Sequence, residues 1–570
     1  MSTEVAIDHG SGARRRWSGR RARAVAATSV LAAAGLVVGV AGAGTAAAAR
    51  ARSSSAVNTT SLPTMTNAQL GIPANPHHGG SLTVLEGSGF VGSWTTLDPA
   101  AANGDAGAHL SYMDAIFGQL FDLGPNGHML PDLATGYKFT NGGKTIELFL
   151  RKGVKFSDGT NFDAYAVKWN WERDFSSASS SKPIFESIQK KNPIVDVVSP
   201  YEVSITFDYT NAAFIDELQG GDILNYIASP TAFQKMGATA FGLKPVGAGP
   251  FVVVSDTPSN ELVLKRNPRY WDKGLPYLNR LTFKTVASDE AAYEAMLANA
   301  GQAYEGLSTP QLVSAFKKHF DTTAEPPTSP YDIQMNTAIP PFNNLKARQA
   351  IYYAIDCKLI DAKLFDNQQP CGQSFEAPAG LFYEKKVPGY LTYNLSKAKA
   401  LVKQVGGLSF NLFTINAPLA ITLNEALQTE FQAAGMKVTL SAYDIGSLVS
   451  TFLGGKWQIA LQTAGAWDPA AGVGVCFRFC STSPFSGVHS TQLDTLLNDA
   501  ANSTVYKTRQ TYYNAAAELI ARNAWGPFLF GLDGQNVVIH NAGAPGLSTP
   551  LPTVSVDPGI LWQYGYNNNK

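Results

Sequence analysis

Few residues in this sequence have types and spacing suited to chemistry, and those few point to recognition rather than bond breaking. The run Thr463-Ala464-Gly465-Ala466-Trp467-Asp468-Pro469 offers two groups. Trp467 can stack on an apolar, peptide or sugar face, and Asp468 can accept a hydrogen bond. Asp468-Pro469 also reads as a plain turn. A second run, Gly87 to Gly92, is rich in glycine, which lets backbone approach a ligand. Phe90 and Trp94 there supply flat contact surfaces, although an exposed loop has the same composition. Tyr331, Asp332, Gln334 and Asn336 precede Pro340-Pro341, with Asp332 and Asn336 the polar candidates of that group.

No reactive constellation accompanies them. The chain lacks H-E-x-x-H, G-x-S-x-G and a phosphate-binding P-loop. Asp158 and Asp163 are spaced like a carboxylate pair but fall in turn and helix-cap positions. The eight His are scattered, so neither a cofactor nor a metal is expected. Four Cys remain, Cys357, Cys371, Cys476 and Cys480, which permit three pairings. Proximity favours Cys357 with Cys371 and Cys476 with Cys480. The short Cys476–Cys480 spacing also suits a metal, but no second Cys pair or His pair lies near it.

The elements that position these residues are legible in part. Tyr137 and Phe139 alternate with polar residues, Asn141-Gly142-Gly143 is a turn, and Ile146, Leu148 and Leu150 share one face of a second strand. Asp163 caps a helix whose Val167 and Trp171 fall four apart. Further on, residues 410–415, 438–442 and 457–461 read as strands separated by helices at 419–434 and 445–453. That β-α-β-α-β order requires parallel strands with right-handed crossovers and places any ligand beyond their carboxyl ends. Residues 525–532 read as a returning strand, and Pro340-Pro341 as an extended crossing between lobes.

A chain of 570 residues with 45% apolar and 15% charged residues is globular and too long for one core. Its zero net charge is uneven: residues 1–49 hold six Arg against Glu4 and Asp8, a net of +4, leaving −4 elsewhere. No basic stripe survives outside that segment, which argues against a nucleic-acid partner. The arginines from Arg14 to Arg23, followed by an uncharged Ala- and Gly-rich run to Ala49, read as an export signal, with an uncleaved anchor as the alternative. Arg15-Arg16-Trp17-Ser18 matches the twin-arginine motif poorly, and with no Cys before Cys357 a lipoprotein anchor is not expected.

Residues 130–173, LPDLATGYKFTNGGKTIELFLRKGVKFSDGTNFDAYAVKWNWER, carry a longer pattern. Pro131-Asp132-Leu133-Ala134, then Leu150-Arg151-x-Gly153-Val154-x-Phe156-x-Asp158-Gly159, then Ala164 and Val167, resemble the signature of the family 5 extracellular solute-binding proteins. These are the peptide, nickel and oligosaccharide receptors of ABC importers. Residues 245–251 (PVGAGPF), 266–271 (RNPRYW), 336–342 (NTAIPPF) and 394–401 (NLSKAKAL) are similar to further family motifs. Tyr270 and Trp271 are read there as packing residues.

The resemblance implies an α/β, type II periplasmic-binding-protein fold of two lobes with an additional domain inserted in the first. On that basis the chain divides into an export signal at 1–49, a linker at 50–79, first-lobe segments at 80–117, 222–335 and 535–570, the inserted domain at 118–221 and the second lobe at 336–534. It also implies a monomeric, exported protein that captures a small solute between closing lobes and delivers it to a membrane permease and its ATPase. A secreted hydrolase of peptides or glycans is the competing expectation. Oligopeptide receptors of the family carry an Arg on one strand and an acidic residue just before the D-P turn. Here Leu461 and Trp467 stand near those positions, which weakens the expectation of an ordinary oligopeptide and favours a neutral or mainly apolar solute.

Overall fold

The hairpin at residues 134–150 forms as its alternation requires. In the structure, a computed structural model, strands Ala134–Thr140 and Thr145–Leu150 pair antiparallel, with Phe139 opposite Ile146 and Tyr137 opposite Leu148. Asn141 and Gly142 between them take positive φ, 50° and 67°, the conformation for which Asn and Gly are suited. Asp163 caps the Ala164–Asp174 helix, its carboxylate accepting from the backbone N–H of Tyr165 and Ala166. Val167 and Trp171 of that helix are buried on the sheet.

The structure describes most of residues 75–565, together with 62, 64–66 and 69. Outside the description lie 88–93, 102–110, 124–128, 177–191, 219–222, 308–309, 325–329, 464–471, 532–535, 541–546, 548–561 and the single positions 366, 368, 379, 417, 444 and 484. Among the described residues no helix is long and apolar enough to cross a membrane.

In chain order the strands are β1 (Ser81–Gly87), β2 (Phe121–Leu123), β3 (Met129–Pro131), β4 (Ala134–Thr140), β5 (Thr145–Leu150), β6 (Ile194–Ser199), β7 (Glu202–Thr206), β8 (Phe251–Thr257), β9 (Glu261–Arg266), β10 (Arg280–Val286), β11 (Ala303–Leu307) and β12 (Asp321–Ala324). They continue with β13 (Pro330–Met335), β14 (Ser409–Ile415), β15 (Lys437–Tyr443), β16 (Ile459–Thr463), β17 (Phe528–Gly531) and β18 (Asn536–His540). Besides the short β2-β3 pair they build three sheets: β4-β5-β7-β6, β12-β18-β11-β1-β10-β9-β8 and β15-β14-β16-β13-β17. β1 runs parallel to β10 and β11, and β14 parallel to β15 and β16. The expected β-α-β-α-β unit is therefore formed, with helices Pro418–Ala433 and Ile445–Leu453 as the crossovers.

Each large sheet is the heart of one lobe. Leu82, Val84 and Ala303 face one core of the seven-stranded sheet, while Leu85 and Tyr304 face another beneath the Asp289–Leu297 and Pro310–Phe316 helices. The PVGAGPF run belongs to the first lobe, and its glycines have a steric reason. A Cβ on Gly247 would lie 2.3 Å from the Ile116 carbonyl oxygen, and one on Gly249 would lie 2.6 Å from the Gly118 nitrogen. Only a bare backbone packs this closely against the end of the Ser111–Phe117 helix.

The chain changes sheet between β12 and β13 and again between β17 and β18. β13 thus lies with the second lobe, and the first passage falls at 325–329 rather than at the expected 336. The reason is burial: Ile333 and Met335 complete the core of the five-stranded sheet with Ile351, Leu412 and Ile459. Pro340-Pro341 is correspondingly not a crossing. It follows β13 at the opposite end, where the Pro340 carbonyl accepts from Gln458 Nε2 just ahead of β16. Cys357–Cys371 and Cys476–Cys480 are disulfides, the pairing that proximity favours.

The four-stranded sheet touches the second lobe directly. Ala212 and Ala213 donate backbone N–H groups to the Ala501 carbonyl, and Asp216 forms a buried ion pair with Arg509 of the Tyr506–Arg522 helix. Burial raises the Asp216 carboxyl above its ordinary range, against the pull of Arg509. Asp216→Ala strands the guanidinium without its counter-charge and should cost about 3–5 kcal/mol in urea denaturation, most of it recovered by pairing Asp216→Leu with Arg509→Met.

Candidate functional site

Both passages between the sheets fall at one edge of the second lobe. β13 enters there at Pro330, β17 leaves there at Gly531, and the antiparallel register sets Tyr331 opposite Thr463, the last residue of β16. The carboxyl ends of the parallel strands are at the same edge, which is where ligands of such sheets bind. β16 ends there at Thr463; Trp467 and Asp468, which follow it in sequence, lie outside the described residues, as does Phe90.

Asp332 sits two residues into β13 from this edge, paired with Gln462 on one side and Phe528 on the other. The period of two sends Ile333 and Met335 into the core and turns Asp332 and Gln334 to the other face. Both are wholly buried. Gln334 donates from Nε2 to the Arg478 carbonyl at 2.9 Å, which places this face against the Gly472–Phe479 helix. Neither Asp332 oxygen, nor Oε1 of Gln334, receives a hydrogen bond. Such buried acceptors cost roughly 1–3 kcal/mol each while no donor reaches them. Burial pushes the Asp332 carboxyl up to about 7, and the nearby positive charge of Arg478 only moderates the rise. The Cys476–Cys480 bridge brackets Arg478 within its helix.

The remaining expected contacts are engaged by the protein itself. Trp94 is buried in the first-lobe core, its indole Nε1 donating to Asp256 at 2.9 Å and its ring 5.4 Å from that of Tyr112. Asn336 donates from Nδ2 to the carbonyls of Gly455 (3.1 Å) and Trp457 (3.0 Å) and accepts from the Ala338 N–H. Leu461 points into the second-lobe core. Tyr270 is buried, and Trp271 donates to Asp132 with the Arg151 guanidinium 3.7 Å from its ring centre, so both act in packing.

A small polar cavity lies elsewhere, lined by Asp114, Asp122, Asp132 and Tyr270 among others. Burial raises Asp114 to about 7 and Asp132 to about 6. Asp132 accepts from Gln119 N–H and Trp271, and Asp114 from Tyr226 and Gln119, so these carboxylates are satisfied and hold the structure together. Among the described residues no group of three or more His, Cys, Asp and Glu is placed to hold a metal ion.

Two α/β lobes joined by two passages, with unfilled acceptors beside them, define a two-lobed solute-binding protein. The model of the bacterial extracellular solute-binding proteins, family 5, matches residues 128–483, and the chain belongs to that family. It is 30% identical over 374 residues to a glutathione-binding protein, GsiB, of Salmonella paratyphi A, covering 64% of this chain and 70% of that one. Solved structures share the fold at lower identity. An ABC transporter substrate-binding protein, CtaP, of Listeria monocytogenes superposes with a TM-score of 0.74 at 21% identity, covering 86% of this chain and all of that one. A dipeptide-binding protein of Pseudoalteromonas sp. SM9913 in complex with Met-Leu gives 0.70 at 19%, over 84% of this chain and 99% of that one.

The sign of the pH dependence follows from the raised carboxyls. Asp332, Asp114 and Asp132 bind protons more tightly folded than unfolded, where a carboxyl titrates near about 3.9. Their contribution to stability is therefore lost as pH rises from about 4 to 7. Melting temperature against pH should fall over that window, and Asp332→Asn should flatten part of the slope.

Proposed function

We propose that the protein captures a small peptide-like solute between its two lobes outside the cytoplasm and hands it to an ABC permease driven by its ATPase. The observation that carries the peptide reading is the set of donor-free, fully buried acceptors on one face of β13: Asp332, two residues in from the edge where the chain passes between the lobes, and Gln334 further along the strand. A solute rich in N–H groups supplies what these atoms lack. The relationship to a glutathione-binding protein, and a fold shared with a dipeptide-binding one, support the same class of solute. Asp332 on this reading replaces an acidic contact near Trp467, so the apolar Leu461 and Trp467 no longer argue against a peptide.

Capture needs no reacting group. An open form binds the solute, and contacts made only on closing shift the population to the closed form that the permease recognises. Trp467 and Phe90 stack on the solute, Asp468 accepts from it, and Trp94 and Asn336 brace the loops beside it. The protein works as an exported monomer. Membership of a family of solute-binding proteins favours capture over hydrolysis.

A thermal-shift screen of the full-length chain tests the reading, using glutathione and dipeptide pools, neutral oligosaccharides and nickel chelates. Peptides at ~100-fold over their dissociation constant should add about 2.7 kcal/mol of stability, and Asp332→Asn should weaken the effective peptide at least tenfold. A shift with oligosaccharides alone sinks the peptide class.

A further inference from the structure

The four-stranded sheet meets its two neighbours in different ways. Toward the first lobe the contact is a core. Ala248 lies in the same apolar cluster as Leu148, Phe156 and Trp171, with Val246 and Trp271 packed against it. Asn170 Nδ2 donates at 2.8 Å to the carbonyl of Ala228, a residue of the first-lobe core. Toward the second lobe the contact is polar. Ala212 and Ala213 donate to the Ala501 carbonyl at 2.8 and 3.2 Å, and Asp216 pairs with Arg509. The Asn141–Gly143 turn comes close to the same place, where a Cβ on Gly143 would lie 3.3 Å from Thr504 Cγ2. Among the described residues no apolar cluster takes side chains from both the four-stranded sheet and the second lobe.

Neither half of this contact belongs to a passage between the large sheets. Residues 212–216 follow β7, and residues 501–509 span the end of the Thr491–Asn502 helix and the start of the Tyr506–Arg522 helix. The four-stranded sheet therefore reaches the second lobe through space, as a third link beside the two covalent ones.

We propose that this contact is a latch, which holds the second lobe in the arrangement seen here and parts when the lobes separate to admit a solute. The proposal rests on the capture reading for the opening of the lobes, and on no class of solute. Its chemistry suits a contact made and broken repeatedly. Once parted, Asp216 and Arg509 return to water, which offsets the attraction they give up. The backbone groups of Ala212, Ala213 and Ala501 likewise exchange a protein partner for water. An apolar interface of the same extent would expose its surface on parting. The core contacts stay with the first lobe, so the four-stranded sheet moves with it. The strength of the latch then sets the fraction of empty protein that is open, and with it the apparent affinity for any solute that enters the open form alone.

Pulsed dipolar spectroscopy on the full-length chain tests this without any solute. All four Cys are paired in disulfides, so spin labels attach to introduced cysteines alone. Val198→Cys places one label on the four-stranded sheet and Lys399→Cys the other on the Leu395–Gln404 helix of the second lobe, both at exposed positions. The labelled protein should give one dominant distance. Arg509→Met leaves Asp216 without its counter-charge and should raise the population at other distances by about tenfold or more. Arg509→Lys keeps the charge but loses the planar fork, and should act in the same direction to a smaller extent. If Arg509→Met fails to fold, Arg509→Lys alone decides. Unchanged distances in the folded variants, with a lowered melting temperature, mark a fixed structural contact; they overturn the inference and leave the solute reading in place. A parent protein already spread over many distances overturns it as well.

Discussion

The chain passes between its two large sheets twice, and the candidate contacts follow from where those passages fall. β13 and β17 stand side by side in the five-stranded sheet, so the entry at 325–329 and the exit at 532–535 share one edge. That edge receives the carboxyl ends of β14, β15 and β16 from the second lobe and of β1 and β11 from the first. Two covalent connections restrict the relative placement of two sheets more than one would.

Buried carboxylates divide into two kinds in this protein, and the division separates folding from recognition. Asp132 and Asp114 have donors from indole, phenol, amide or backbone N–H groups, and each closes a local structure. Asp332 has none on either oxygen. A hydrogen-bonded carboxylate contributes to the fold, while one without a donor subtracts from it. The Asp216–Arg509 pair is intermediate, since its charges compensate each other yet both have left water. Its value is geometric, because it fixes the four-stranded sheet against a helix of the second lobe.

What the sequence revealed were features whose causes are local. The Asn141-Gly142 turn, the cap at Asp163 and the β-α-β-α-β order each depend on neighbours within a few turns of chain. The disulfides were legible because both bridges close short loops. The change of sheet was placed too late because alternation in Pro330–Met335 reads the same in either lobe; only the packing of Ile333 and Met335 decides. Trp94 looked like a contact surface because an aromatic after glycines has that appearance whether or not its indole finds Asp256. The Asp216–Arg509 pair had no local signature, since it joins segments distant in sequence.

The place of β18 bears on the order of events when the protein is made. It lies between β11 and β12, and β12 joins the seven-stranded sheet through β18 alone. The seven-stranded sheet of the first lobe can therefore be finished only after residues 536–540 have been made. Until residues 536–540 arrive, β11 has an open hydrogen-bonding edge, a template for pairing with other chains. β18 acts as a clasp, because the seven-stranded sheet is complete only once residues 536–540 have joined it.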